Sequence, residues 1–184
     1  GQTGTFLEME RILPEMAKMG FDILALPPIF PTGGGANDSV WAVGNDEGGH
    51  ASVDPNLGTR DDFVSLVETA AANQMEIALT LPFHCSKNHY YIQEHPEWFR
   101  RDSDRETPLH HRPKYPNTIS FDFESEEWES LWSEMKNIVL FWIKQGVHIF
   151  RFDDPETKPF AFWEWLIQTI QDQHTEVIFL AEPV

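Results

Sequence analysis

The sequence predicts an α/β fold, a partial (β/α)8 TIM barrel of about four parallel strands with flanking helices. Helical patterns and short apolar runs alternate along the 184 residues. The runs in "FDILALPPIFP", "EIALTLPF", "VHIFRFDD" and "EVIFLAEPV" are nearly continuous in apolar residues, as strands covered on both faces are. Polar or charged side chains follow three of them directly: His84 and Cys85 after the second, Asp153 and Asp154 after the third, Glu182 after the fourth. Right-handed crossovers carry all such ends to one rim, where barrel enzymes keep their chemistry.

Each element has a local reason. Thr5 and Glu8 stand in capping-box spacing ahead of Leu7, Met9, Ile12, Leu13 and Met16, with Gly20 as a stop, so a helix is expected despite Pro14. Pro27 and Pro28 end the first strand, since proline cannot donate to a central ladder, and a long polar loop follows. Thr59 and Asp62 open a second helix whose inner face is Phe63, Leu66, Val67 and Ala70. From Ser125 to about Gly146 a third runs with Leu131, Met135, Ile138 and Val139 inward, and Trp128, Trp132 and Trp142 are expected in the core. Pro159 suits the first turn of a fourth, which turns Phe162, Leu166 and Ile170 inward. A complete barrel takes about 250 residues, so residues 1–184 are expected to be one piece of a larger barrel, from about its first helix to its fifth strand.

The formal net charge of −17 disfavours nucleic acid and anionic membrane, which need clustered Lys and Arg. A neutral sugar meets no such repulsion. One cysteine, Cys85, leaves no disulfide framework, and neither a leader nor an apolar span is visible, so a cytoplasmic setting is expected. His84, His89, His95, His110 and His111 lack metal-ligand spacing, so no metal is expected. The glycines at 33 to 35 lead into "ANDSV", not a Lys-Ser/Thr helix start, so a phosphate loop is not expected either.

Asp153 and Glu182 lie one strand-helix-strand unit apart, and their carboxyl groups can converge at the rim. Retaining glycoside chemistry needs such a pair, about 5 to 5.5 Å apart, one attacking the anomeric carbon and the other donating a proton. Arg151 shares a strand face with Asp153 and can hold it ionised. The alternative is a capping carboxylate with Arg151 as its surface partner. Trp41, Tyr90, Tyr91 and Trp98 are expected to offer flat faces to sugar rings.

The segments "GFDILALPPIFP", "WAVGNDEGGHASVDPNLGT", "HPEWF", "FRFDDPETKPFAFWEWLI" and "VIFLAE" resemble glycoside hydrolase family 13, the α-amylase family, over essentially the whole chain. Within it, the combination of "TKPFAFWEWLI" with "VIFLAE" is similar to the branch that moves maltosyl units from maltose 1-phosphate onto an α-1,4-glucan. The resemblance implies Asp153 as nucleophile, Glu182 as general acid/base and Arg151 as the arginine beside the nucleophile. It also implies substrate contacts from His50, Trp41, Lys114, Tyr115, Asp154 and Lys158, with an α-glucan and a maltosyl donor as partners and no cofactor.

The chain departs from the family pattern. Thr80 stands where the family has an aspartate that supports the arginine, and Asp154 and Glu156 replace asparagine and histidine after the nucleophile. Two like charges about 4 Å apart repel by roughly 4 kcal/mol at an effective dielectric near 20, enough to shift donor preference. Two other readings follow: an amylase-like hydrolase or transglycosidase, and a degenerate non-catalytic glucan-binding protein. The family draws a third acidic residue from a later strand, so the isolated chain is expected to be inactive. Its open sheet edges are expected to favour homo-oligomers.

Overall fold

The computed structural model describes residues 4–35, 38–99 and 115–182. Helix α1 (Phe6–Lys18) precedes strand β1 (Ile23–Leu26); helix α2 (Arg60–Ala72) leads to β2 (Glu76–Thr80). Short β3 (His84–Ser86), helix α3 (Tyr91–Glu94) and β4 (Thr118–Ser120) come next, then α4 (Trp128–Lys144), β5 (Ile149–Asp153), α5 (Phe160–Gln171) and β6 (Ile178–Glu182). The main sheet is parallel throughout in the order β1-β2-β5-β6. The expected four strands and the helices between them are therefore present, with β3 and β4 added as an antiparallel pair.

Both capping boxes form. Thr5 accepts from the Glu8 amide while Glu8 accepts from the Thr5 amide, and Thr59 and Asp62 do the same for α2. Each satisfies two amides that the first helical turn leaves without partners. Gly146, at φ +97°, turns α4 into β5; its amide approach to α2 is so close that a Cβ there would meet Val67 Cγ1 at 2.9 Å.

Period-two alternation gives the sheet two distinct faces. Leu26, Ile77, Leu79, Phe150 and Phe152 are buried on one, where Phe152 meets Trp163 of α5 at 4.9 Å between ring centroids. That is the helix-covered face. Arg151, Asp153 and Glu182 have the opposite phase and share the other face with Ile23, Ile178 and Leu180, which are 47%, 47% and 42% exposed. The edge strands β1 and β6 thus present apolar side chains to solvent, as expected of an open sheet.

Helix α4 closes the core. Trp142 is fully buried, its ring 5.2 Å from Phe63 and 5.8 Å from Phe30, and its indole N–H donates to the His50 carbonyl at 2.7 Å. Trp128 corrects the sequence expectation. The helix begins at Trp128 rather than at Ser125, so this ring sits on the first turn, 40% exposed and edge-on to Trp132. Tyr91 and Trp98, expected to face sugars, are buried instead: the Tyr91 hydroxyl donates to Glu134 at 2.6 Å and the Trp98 indole to Ser130 at 2.8 Å, both on α4.

Trp142→Ala is expected to cost about 3 to 5 kcal/mol, the usual range for emptying an aromatic core site. Urea unfolding measures it; a loss below about 1 kcal/mol would place Trp142 outside the core.

Candidate active site

Strands β5 and β6 run in register from Ile149 beside Ile178 to Asp153 beside Glu182. Register partners on neighbouring parallel strands project to the same face about 4.8 Å apart, so both carboxyl groups stand together at the C-terminal rim. Asp153 is 3% exposed. Glu182 is more open, its side chain 45% exposed and Arg151's 32%.

Arg151 forms an ion pair with Glu182, Nη2 to Oε2. The expectation was that Arg151, on the same strand face as Asp153, holds that carboxylate ionised. A hydrogen bond to Asp153 Oδ2 comes from the Tyr115 hydroxyl, at 2.7 Å. Tyr115 is fixed from several sides: Trp41 stacks on its ring at 4.6 Å and 3°, its carbonyl accepts from Thr118 at 2.6 Å, and the His84 ring lies 5.7 Å away. Trp41 is held in turn, its carbonyl accepting from His84 Nε2 at 3.0 Å. Pairs 38 positions apart in sequence, Tyr115 with Asp153, and 31 apart, Arg151 with Glu182, thereby meet at one rim.

Thr80 is the register partner of Arg151 on β2, and its hydroxyl donates to the Leu26 carbonyl at 2.7 Å. Thr80 is thus a neutral side chain beside Arg151 that ties β2 to β1. Asp154 leaves the strand in the left-handed region (φ 50°, ψ 48°) and is 5% exposed. Asparagine and aspartate tolerate that region best among residues with a Cβ. Its carbonyl accepts from the Thr157 amide and hydroxyl and from Lys158 Nζ at 3.2 Å, which anchors Lys158 at the same turn. Lys114 lies outside the described residues.

His50 is not on the open rim. It is 1% exposed, and its Nε2–H donates to the His84 carbonyl at 3.0 Å, bracing the long loop after β1 against β3. Burial pulls its pKa down to about 4. Burial, with Lys158 nearby, pulls His84 down to about 3, and burial takes His89 to about 2. Sequence reading left His84 without a site role. Its position just past the second strand was the available signal; its grip on Trp41 required the fold.

The parallel sheet, its helices and the carboxylate pair at the rim define a segment of an α-amylase-type (β/α) barrel. No family model matches the chain, but individual proteins do. Two α-1,4-glucan:maltose-1-phosphate maltosyltransferases, from Methylacidiphilum infernorum and Chlorobaculum tepidum, are 45% and 42% identical over 99% of this chain. Among solved structures, an α-amylase from Lactobacillus plantarum (TM-score 0.84, 27% identity) is matched over 97% of this chain and 41% of its own. A noncanonic maltogenic α-amylase from Thermotoga neapolitana (TM-score 0.80, 26% identity) is matched over 96% and 41%. The chain is thus similar to these maltosyltransferases over nearly its whole length and to α-amylases in fold, and it spans about 30% of the length of those curated relatives.

The three buried histidines predict acid lability. Their folded pKa values lie below the unfolded value near 6.5, so the unfolded chain binds protons that the folded chain cannot. The stability they permit is whole above pH 6.5 and declines as pH falls toward about 4. Urea midpoints at pH 7.5 and pH 5 are expected to differ accordingly; equal midpoints would mean that the rings ionise in place.

Proposed function

We propose that this chain carries the nucleophile and the general acid/base of a retaining glycosyltransferase that moves maltosyl units from maltose 1-phosphate to an α-1,4-glucan. The observation that carries the reading is the in-register adjacency of Asp153 and Glu182 on one face of neighbouring strands. The homology to proteins named maltosyltransferases supports the donor and acceptor.

In the first step Asp153 attacks the anomeric carbon, phosphate departs with the bonding electron pair, and a maltosyl ester forms on Asp153. In the second, Glu182 takes the proton of an acceptor hydroxyl, whose oxygen displaces Asp153. Tyr115 donates to Asp153 Oδ2, which holds the carboxyl group in place for attack. The Arg151 bond occupies Glu182 Oε2, so proton transfer there uses the second oxygen or requires the guanidinium to move toward Asp153, two residues along its own strand. Lys158 supports a role near the donor phosphate through its place at the Asp154 turn; Lys114 is assigned to the same end by resemblance.

A second reading, glucan hydrolysis or transglycosylation without phosphate, is favoured by Asp154, a carboxylate beside the nucleophile that would repel a phosphate. The experiment uses the longest reading frame containing this segment. Glycogen-dependent phosphate release from maltose 1-phosphate, abolished by Asp153→Ala, is the expected result. Reducing sugar released from glucan without phosphate dependence would select the second reading, and binding with neither reaction would select a non-catalytic glucan-binding protein.

The 184-residue chain alone is expected to show negligible turnover, because it spans about 30% of its relatives. Its exposed edge residues Ile23, Ile178 and Leu180 favour self-association. Light scattering across concentrations is expected to show mass rising above 21.3 kDa; a constant monomer mass would contradict it.

A further inference from the structure

A separate pocket of about 260 Å³ lies between the long loop after β1 and the turn that joins β3 to α3. Asp46, Lys87, Asn88, His89, Ile92 and Gln93 line it, and none of these belongs to the rim around Asp153 and Glu182. It is smaller than the roughly 300–1,000 Å³ of clefts for drug-sized ligands, a size for one sugar ring rather than an oligosaccharide.

Its wall is built, not incidental. His89 is 1% exposed, and side chains at Gly44 or Gly49 would collide with its ring, so two glycines make room for it. Its Nδ1 accepts from the Tyr91 amide at 3.1 Å. A neutral imidazole that accepts at Nδ1 carries its proton on Nε2. That N–H is buried and has no acceptor among the described residues, an uncommon state for a buried donor. Asn88, also in the lining, is oriented by the bond from its Nδ2 to the Gly33 carbonyl at 2.8 Å. Among the described residues, no hydrogen bond or ion pair engages the side chains of Asp46, Lys87 or Gln93.

We propose that this pocket is a second carbohydrate site that takes a single glucosyl residue of an α-1,4-glucan. The proposal rests on the α-glucan reading above and extends it to a place outside the reacting centre. Sugar hydroxyls both donate and accept, and the pocket supplies both kinds of partner: acceptors at Asp46, Asn88 and Gln93, donors at Lys87 and Gln93. Ile92 offers the apolar contact that ring C–H groups need. Asp46 opposes an anion and Lys87 opposes a cation, so a neutral polyol fits the lining best. The loop that carries Asp46 also carries Trp41 to the rim, and β3 places His84 at the rim and the Lys87–Gln93 turn at the pocket. A glucan held in the pocket raises the local concentration of its own chain near the rim without taking part in bond making.

The test is a maltotriose titration of the ¹⁵N-labelled 184-residue chain, read at the Asn88 and Gln93 side-chain amides and at the Trp41 indole. Saturable shifts at Asn88 and Gln93 are expected. Lys87→Ala/Gln93→Ala is expected to weaken the Asn88 response about tenfold or more, the loss of two ordinary hydrogen bonds, while the Trp41 response is kept. Movement of Trp41 with Asn88 and Gln93 still would overturn the pocket and leave the rim reading standing. The reverse pattern would keep the pocket and count against the rim. Silence at both places would overturn both, and a response to inorganic phosphate in place of maltotriose would overturn the choice of a neutral sugar.

Discussion

Parallel pairing of β5 with β6 starts at Ile149 beside Ile178 and arrives, four residues later, at Asp153 beside Glu182. Side chains on a strand alternate between faces, so a slip of one residue in either strand would send one carboxylate to the helix side and leave the other alone. What prevents the slip is the apolar half of the alternation. Phe150 and Phe152 are buried against Phe179 and Trp163, and moving them to the open face would expose large aromatic surface. The site geometry is therefore enforced by residues that take no part in its chemistry.

The same face shows how the neighbours of a charge decide its partner. Arg151 has Thr80 beside it on β2 and Glu182 near it on β6. A threonine hydroxyl that is already bonded to the Leu26 carbonyl gives a guanidinium no anionic partner. Charge-assisted bonds are the stronger ones, so the arginine turns to the carboxylate available on the other side. Asp153 is bonded by the Tyr115 hydroxyl, which Trp41 and Thr118 hold in place. The loops after β1 and before β4 thus take part in shaping the rim, a task that the strands alone would not complete.

Much of this architecture was legible in the residues. Capping boxes at Thr5 and Thr59, the nearly continuous apolar strands and the polar residues after them gave the alternation of elements and the rim. Local signals failed where the answer lay far away in sequence. The three-residue strands β3 and β4 carry too short a pattern to be read, and they pair across some thirty intervening positions. Tyr91 and Trp98 looked like loop aromatics because their partners, Glu134 and Ser130, sit on a later helix. Trp128 looked like core because helical spacing extends one turn past the place where the neighbouring elements stop covering it. His50 stood out in sequence as a loop histidine, yet its part is to brace the loop from inside.

The open face of the sheet has layers that differ in chemistry. Ile23 and Ile178 stand low on the edge strands, Leu180 higher, and Asp153 and Glu182 at the top. Burying the lower layers would remove apolar area from water at about 25 cal/mol per Å², whereas burying the top would strip water from the half-exposed Glu182 and Arg151, which costs several kcal/mol per ion unless each is fully paired. Whatever covers this face gains by packing against the lower part and loses by reaching the rim. The gradient keeps Glu182 and Arg151 at the wet end of the face, where any group that displaces their water must replace its hydrogen bonds, while the apolar floor beneath favours a tight, dry contact.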